Sequence, residues 1–316
     1  MKIHVLTQPA PPALGLALEE FESQFAYPLG PRRSFRISHG LEYLPFFQAI
    51  GEASVLVAER DGKVVGTLAF VRRPLELTSS GMGTERRSAH YLCDLKVAPS
   101  ARGSIVLSRL LQEAKARIEP GESHACYCVV MDGTGRLPVG YTGRVGVPVF
   151  EKIGSITVLR LSAGQESSFR SCSMEELSKV RTRIAHGGCT ATGGMSRFRS
   201  LMEPLSLVEE AGAACGILED TRLAKRLFPV DGGELLSAHL SGFAYTTPAA
   251  GGRLLRSAVA AALENGLPAV FVAVPSGEVA RLLPELEGIE VLQAPASVYG
   301  YDLPAGLDWW VDTAEI

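Results

Sequence analysis

Apolar residues recur at helical spacing near the start of the chain, at Leu14, Leu18, Phe21 and Phe25. They follow an opening run, Met1–Thr7, in which Ile3 and Val5 alternate with polar neighbours as in a strand. A second cluster, Leu44, Phe46, Phe47 and Ile50, predicts a short helix before Gly51. Ser54–Glu59 and Lys63–Val71 are β-rich runs around Arg60-Asp61-Gly62, and an Asp-Gly pair signals a hairpin turn. A polar loop, Thr78–Ser88, then leads to a strand His90–Val97 that Pro99 ends. From about Ser104 a helix is predicted with Leu107, Leu110, Leu111, Ala114 and Ile118 on one face. Ala125–Met131 reads as a buried strand, and Val147–Leu161 as a short helix, a turn at Gly154 and a strand Ile156–Leu161.

The pattern changes at Ser162–Ser173, which is polar and serine-rich, and a domain boundary is placed there. This divides the chain into an N-terminal domain, 1–165, and a C-terminal domain, 166–316. A helix is predicted over Met174–Ala185, then a connector, Gly187–Gly194, with four glycines in eight residues. Strand and helix patterns resume with Ala214–Glu219, Leu235–Tyr245, a helix Gly252–Leu263 and a strand Ala269–Val274. A helix Glu278–Leu286 and strands near Ile289–Leu292 and Ala296–Asp302 complete the series. Trp309 and Trp310 alternate across a last strand, so one ring is expected to be buried and the other to face outward.

The two halves repeat. Displacing Leu92–Gly133 onto Leu236–Gly277, with no gap, superposes Arg109-Leu110-Leu111 on Arg253-Leu254-Leu255 and Ala114 on Ala258. Ala125 falls on Ala269 and Val130 on Val274, so strand, helix and strand recur at one spacing.

Composition narrows the function classes. The 316 residues are 46% hydrophobic and 21% charged, which excludes long disorder and fibrous classes. Thirty-one Lys and Arg against 34 Asp and Glu are a poor footprint for a nucleic-acid binder. No apolar run approaches a membrane span, and no signal peptide is visible, so a cytoplasmic protein without a membrane partner is expected. Six scattered cysteines are not a disulfide framework. His124, Cys126 and Cys128 alternate on one strand face, but a zinc site wants a fourth ligand, and an ordinary buried strand is the preferred reading. No metal is expected.

Asp94-Leu95-Lys96-Val97-Ala98-Pro99 followed by Arg102-Gly103-Ser104 and a helix with Leu110-Leu111 resembles the central motif of the GNAT acetyltransferase superfamily. The hairpin Val57–Gly66 is similar to that family's second and third strands, and Val149–Gly154 to its "Tyr-Glu-Lys-Leu-Gly" segment. Two tandem GNAT-like domains follow, the second divergent, each a mixed and mostly antiparallel α/β sheet flanked by helices. The resemblance implies acetyl-CoA as co-substrate. Its pyrophosphate would meet Arg102, Gly103, Ser104 and Ile105 at a helix N-terminus, where unpaired N–H groups and the helix dipole favour an anion. Its pantetheine arm would pair with the strand at Leu95 and Val97. The motif is damaged, since Ile105 and Leu107 stand where glycine or alanine belongs. The matching second loop, Thr246–Gly251, is small but lacks the arginine, and Pro248 has no N–H. The first copy is the preferred coenzyme site.

Direct transfer needs a proton acceptor for the amine and a donor for the departing thiolate. Phe150 stands where family members carry a donor tyrosine, which leaves Tyr141 as the substitute and Asp94, on the strand face shared with Leu92 and Lys96, as the base; the alternative for Asp94 is a structural ion pair with Lys96 or with an arginine of the sheet surface. His239, flanked on its own face by Ser237 and Ser241, is read as a satisfied polar patch, the alternative being a role in a second-domain cleft. Arg32-Arg33 and Arg86-Arg87 are solvated faces or partners of the coenzyme 3′-phosphate. The expected function is acetyl-CoA-dependent N-acetylation of a small-molecule amine by a monomer or homodimer. The competing expectation is a catalytically degenerate GNAT-like binding or regulatory protein.

Overall fold

The structure, a computed structural model, describes residues 1–28, 33–79, 83–121, 123–162, 170–184, 187–194, 198–230 and 232–316. The first half comprises β1 (Lys2–Leu6), α1 (Pro12–Glu22), β2 (Tyr27–Pro28), β3 (Ser34–Ser38), α2 (Leu44–Gln48), β4 (Glu52–Arg60) and β5 (Lys63–Ser79). It continues with β6 (Gly83–Val97), α3 (Val106–Ile118), β7 (Cys126–Met131) and β8 (Glu151–Ser162). The second half comprises α4 (Met174–Arg183), β9 (Gly188–Ala191), β10 (Leu205–Val208), β11 (Ala214–Glu219), β12 (Arg226–Pro229) and β13 (Ala238–Tyr245). It ends with α5 (Pro248–Glu264), β14 (Ala269–Pro275), α6 (Ser276–Leu282), β15 (Glu290–Tyr301) and β16 (Trp309–Trp310).

One mixed sheet runs through both halves in the order β1-β4-β5-β6-β7-β15-β8-β14-β13-β11-β10, with β9 beside β5 and β16 beside β9. Its pairings are antiparallel except β6 with β7, β13 with β14 and β9 with β16. Helices flank it, so the architecture is the expected mixed α/β one. The halves interlock: β15 lies between β7 and β8, while β8 pairs on its other edge with β14. Hydrophobic packing follows, since Leu159 and Leu161 of β8 belong to the core of the second half. Phe271, Val298 and Trp309 in turn belong to the core of the first. A separate three-stranded sheet, β12-β3-β2, also joins the halves. Most of Ser162–Ser173 lies outside the described residues.

The sheet absorbs several segments whose local pattern reads otherwise. Of Thr78–Ser88, residues 80–82 lie outside the described residues, and the rest belongs to the paired arms of β5 and β6, in register from Arg72↔His90 to Ser79↔Gly83. No helix or turn forms in Val147–Leu161; β8 runs unbroken through Gly154, which gives up its side chain because a Cβ would overlap the Trp309 indole. Within Gly187–Gly194, Gly188–Ala191 is a strand held between β5 and β16. The strands near Ile289–Leu292 and Ala296–Asp302 are one, β15, which passes through Pro295. Trp309 is 1% exposed, and Trp310 is half-buried with its indole N–H donating to the Gly187 carbonyl at 3.2 Å. No described helix is long and apolar enough to cross a membrane.

The amphipathic α3 buries Val106, Leu110, Leu111 and Ala114. It approaches β5 at Gly66, where a Cβ would stand 2.8 Å from Val106 Cγ1. This close contact fixes the start of α3 over the end of β6 and so positions the candidate site.

Candidate active site

Although β6 and β7 are parallel neighbours, they pair only at His90↔Cys126 and Tyr91↔Tyr127. Beyond these residues β6 stays with β5 as far as Val97, while β7 follows β15. The two strands therefore splay apart, and a cavity of about 1120 Å³ opens between their diverging edges. Leu95, Val97 and Arg102 line it on one side, and Val129–Met131 and Tyr141 on the other.

The loop between β6 and α3 forms a 3-10 turn, Pro99–Ala101, then an extended Arg102 and a left-handed Gly103 at φ 78°. Ser104 Oγ donates to the Ala101 carbonyl at 2.6 Å. The main-chain N–H groups of Gly103, Ile105, Leu107 and Ser108 have no acceptor among the described residues. Ile105 is 62% exposed, so it stands at the mouth of this donor cluster without contributing to the core. Arg102 has no carboxylate partner among the described residues. Leu95, Val97, Arg102, Gly103, Ser104 and Ile105 thus form one contiguous edge, from the splay to the first turn of α3.

Asp94 departs from simple alternation with Leu92 and Lys96. It sits in a bulge of β6, at φ 54°, where the register against β5 shifts between Thr67 and Ala69. Its carboxylate accepts from the Tyr43 hydroxyl and pairs with Lys96, and its carbonyl accepts from Thr67 Oγ1 at 2.9 Å. The ion pair weighed for it in the sequence is therefore present, within a larger cluster. Lys96 Nζ also donates to Glu22 Oε1 at 2.6 Å, and Glu22 Oε1 meets His39 Nδ1 at 2.7 Å. The His39 main-chain N–H completes the set by donating to Glu22 Oε2 at 2.8 Å.

Charge balance explains the arrangement. Burial alone would raise the Glu22 carboxyl, but His39 and Lys96 more than offset it and hold it at about 2. Burial would likewise lower Lys96, yet Asp94, the tyrosines and Glu22 keep it well above its ordinary value. Donor atoms of Glu22, His39 and Asp94 lie within 4.8 Å of one another, and the Lys96 ammonium is the cation bonded to both carboxylates. Burial pushes the Tyr141 phenol upward, so it keeps its proton through neutral pH. Asp94 and Tyr141 both line the cavity; Phe150, also in its wall, is buried.

Three residues of this cluster, Glu22, His39 and Tyr43, escape the sequence reading. Glu22 does leave a trace there, because it occupies a position of the apolar stripe Leu18, Phe21 and Phe25. His39 and Tyr43 reach it only through the tertiary fold.

The second half repeats the splay but fills it. Strands β13 and β14 pair in parallel only at Ala238↔Val270 and His239↔Phe271. A left-handed bulge residue follows at Gly242, φ 59°, as Asp94 does in the first half. Thr313 stands between the diverging strands, its hydroxyl donating to the Phe271 carbonyl at 3.2 Å and meeting His239 Nδ1 at 3.0 Å. Burial pushes His239 well below its ordinary value, so it is neutral. The ungapped repeat holds for the helices and for the strands that follow them, where Cys126 and Tyr127 of β7 fall on Val270 and Phe271 of β14, but not for the strands before them: the bulges stand twelve positions before α3 (Asp94 to Val106) but six before α5 (Gly242 to Pro248). Ala249, Ala250 and Gly251 are accordingly helical, and Thr247 Oγ1 caps the helix by accepting from Ala250 N–H at 3.3 Å. The small residues there serve packing: a Cβ on Gly251 would press on the Tyr245 ring, and one on Gly252 on Glu285.

Other candidates resolve simply. Cys126 and Cys128 are free thiols raised to about 12 by burial. Arg86 pairs with Glu76 at 2.9 Å and Arg87 with Asp302. Arg32 lies outside the described residues.

A parallel splay carrying a bulge, followed by a donor-rich helix start, gives the chain a GNAT-like fold. Residues 18–141 match the acetyltransferase (GNAT) family. The fold as a whole is similar to N-myristoyltransferase of Saccharomyces cerevisiae with bound myristoyl-CoA, at TM-score 0.63 and 9% identity over 100% of this chain and 83% of that one. A second structure of that enzyme, with myristoyl-CoA and inhibitors, gives TM-score 0.60 and 9% identity over 96% and 80%. No curated protein sequence matches the chain significantly.

Proposed function

We propose that the protein is an acetyl-CoA-dependent N-acetyltransferase that acts on the amine of a small molecule. The observation that carries this reading is the contrast between the two splays. The first opens on a large cavity beside unpaired N–H groups and Arg102, while the second is occupied by Thr313. Acetyl-CoA is assigned to the first, its pyrophosphate at Arg102–Ile105 and its pantetheine arm along Leu95 and Val97. This is the helix-start geometry that stabilises phosphate groups.

In the proposed reaction the amine nitrogen attacks the thioester carbonyl, a C–N bond forms, and the C–S bond breaks. The proton shed by the attacking nitrogen passes to Asp94, at the bulge beside the splay. The departing thiolate takes its proton from the Tyr141 hydroxyl. Each role suits the residue's state, Asp94 ion-paired as a carboxylate and Tyr141 a protonated phenol.

Calorimetric titration with acetyl-CoA, followed by an assay of coenzyme A release with an amine library, tests the reading. Saturable binding and amine-dependent release are expected. No binding at millimolar acetyl-CoA would overturn it, and binding without release by any amine would favour the degenerate reading that Ile105 and Phe150 suggest.

A further inference from the structure

The cavity continues past the ionic cluster into the second half of the chain. Phe46 and Phe47 of α2, Leu227 of β12 and Phe271 of β14 line this part. The Phe46 ring joins the two regions: its centroid lies 4.7 Å from that of His39, in the ionic cluster, and 5.1 Å from Lys225 Nζ. Four polar side chains of the second half share the lining, Lys225, His239, Thr313 and Glu315.

Three of the four have spent their hydrogen bonds. Lys225 Nζ donates to the main-chain oxygens of Thr313 and Ile316 at 3.0 and 2.7 Å. The Glu315 carboxylate accepts from Arg73 on one oxygen and from Arg199 on the other. The Thr313 hydroxyl gives its single hydrogen to the Phe271 carbonyl at 3.2 Å, so toward His239 Nδ1, at 3.0 Å, it can only accept. His239 therefore carries its proton on Nδ1, and burial keeps the ring neutral. Its Nε2 is a bare lone pair with no partner among the described residues. One face of the ring stacks on Phe271 at 5.4 Å and its Nδ1 edge is taken by Thr313, which leaves the Nε2 edge to the cavity.

We propose that His239 is a recognition residue for the acceptor, whose amine sits on an apolar stem with an O–H or amide N–H at its far end, received by His239 Nε2. The inference rests on the acetyltransferase reading and names the acceptor's distal group. Between the ionic cluster and His239 the walls are Phe46, Phe47, Leu227 and Phe271, which suit methylenes and offer them burial. At the end of the stem only a donor group repays the imidazole. An alkyl terminus would strip Nε2 of solvent and return nothing, and an ether oxygen would set one lone pair against another. Thr313 is a positioning residue here, because it decides which ring nitrogen is bare.

The test uses the full chain with acetyl-CoA and follows coenzyme A release from primary amines with unbranched stems of four to ten carbons. At each length the far end is a methyl, methoxy, hydroxyl or carboxamide group. At one length the hydroxyl or the carboxamide amine should exceed both the methyl and the methoxy amine at least tenfold in kcat/KM, through KM, and whichever leads identifies the donor. His239→Phe should collapse that ratio to below twofold; because the ratio is taken within one protein, a general loss of activity cancels from it. Thr313→Val, which frees Nδ1 and lets the ring change tautomer, should lower the ratio at least threefold and serves if His239→Phe does not fold. The inference is overturned by no advantage at any length, by one that the methoxy amines share, or by one that survives His239→Phe. Binding of acetyl-CoA with transfer to none of the amines overturns it as well, as does a preference for octanoyl-CoA, which would give the chamber to the acyl chain. Failure to bind acetyl-CoA at all is the separate outcome that removes the acetyltransferase reading itself.

Discussion

The Gly242 main-chain N–H donates to the Asp312 carboxylate at 2.7 Å, so a bulge in the middle of the second half is satisfied by a residue seventy positions further on. Asp312 is half-buried and, chiefly through desolvation and the nearby Glu315, raised to about 6. Together with Thr313 between β13 and β14, this contact occupies the place where the first half opens its cavity. The expected stoichiometry of acetyl-CoA is therefore one per chain. Calorimetry that returns two equivalents would show that residues 312–313 do not close the second splay.

Arg102 and Ile105 stand on the same loop with opposite expected effects. Arg102→Ala should weaken acetyl-CoA binding by about 1–3 kcal/mol, the scale of a lost charge-assisted hydrogen bond. Ile105→Gly should tighten it, because the side chain is 62% exposed at the mouth of the donor cluster and makes no core contact to lose. Glycine is also tolerated at this N-cap position. Titrations of both variants decide the point, and unchanged affinity in both would move the coenzyme away from residues 102–105.

Glu22 links stability to pH. Its carboxyl lies at about 2 in the folded protein against an ordinary 4.5, so below pH 4.5 the unfolded chain binds this proton more readily. The stabilisation is complete above pH 4.5 and is lost as the pH falls through about 2. At pH 7, Glu22→Gln should cost roughly 3–5 kcal/mol, since Lys96 and His39 lose a buried partner. Urea denaturation of both proteins at several pH values should show their difference narrowing below pH 4.5. A constant difference would contradict the assignment.

Gly154 is the point where β8 admits the Trp309 ring. Gly154→Ala should destabilise the protein by about 1–3 kcal/mol or more, because the indole is fully buried and cannot retreat without cost. Thermal unfolding measures the loss, and a simultaneous change in Trp fluorescence would locate it. An unaltered melting temperature would mean that β8 and Trp309 are not in contact.

Several features were legible in the residues alone because they depend on local chemistry. The Asp61-Gly62 turn, with both residues at positive φ, closes the hairpin between β4 and β5. The stripe from Leu107 to Ile118 is α3, and the Arg102-Gly103-Ser104 run precedes it as the GNAT-like motif implies. The presence of Asp94 beside Lys96 was also visible, including their ion pair.

What the tertiary structure alone decided is which distant segments share a strand edge or a cavity. Gly154 reads locally as a turn, but pairing with β15 and the Trp309 ring hold it in a strand. Gly251 reads as the end of a phosphate loop, but its close contact with the Tyr245 ring makes it a packing position within α5. Nothing near His39 in sequence shows that it will meet Glu22, seventeen positions away, or share that carboxylate with Lys96, fifty-seven positions away. Local pattern reports backbone preference and burial periodicity. Partner choice is set by the interlocked order of β7, β15, β8 and β14, which no short window of the chain contains.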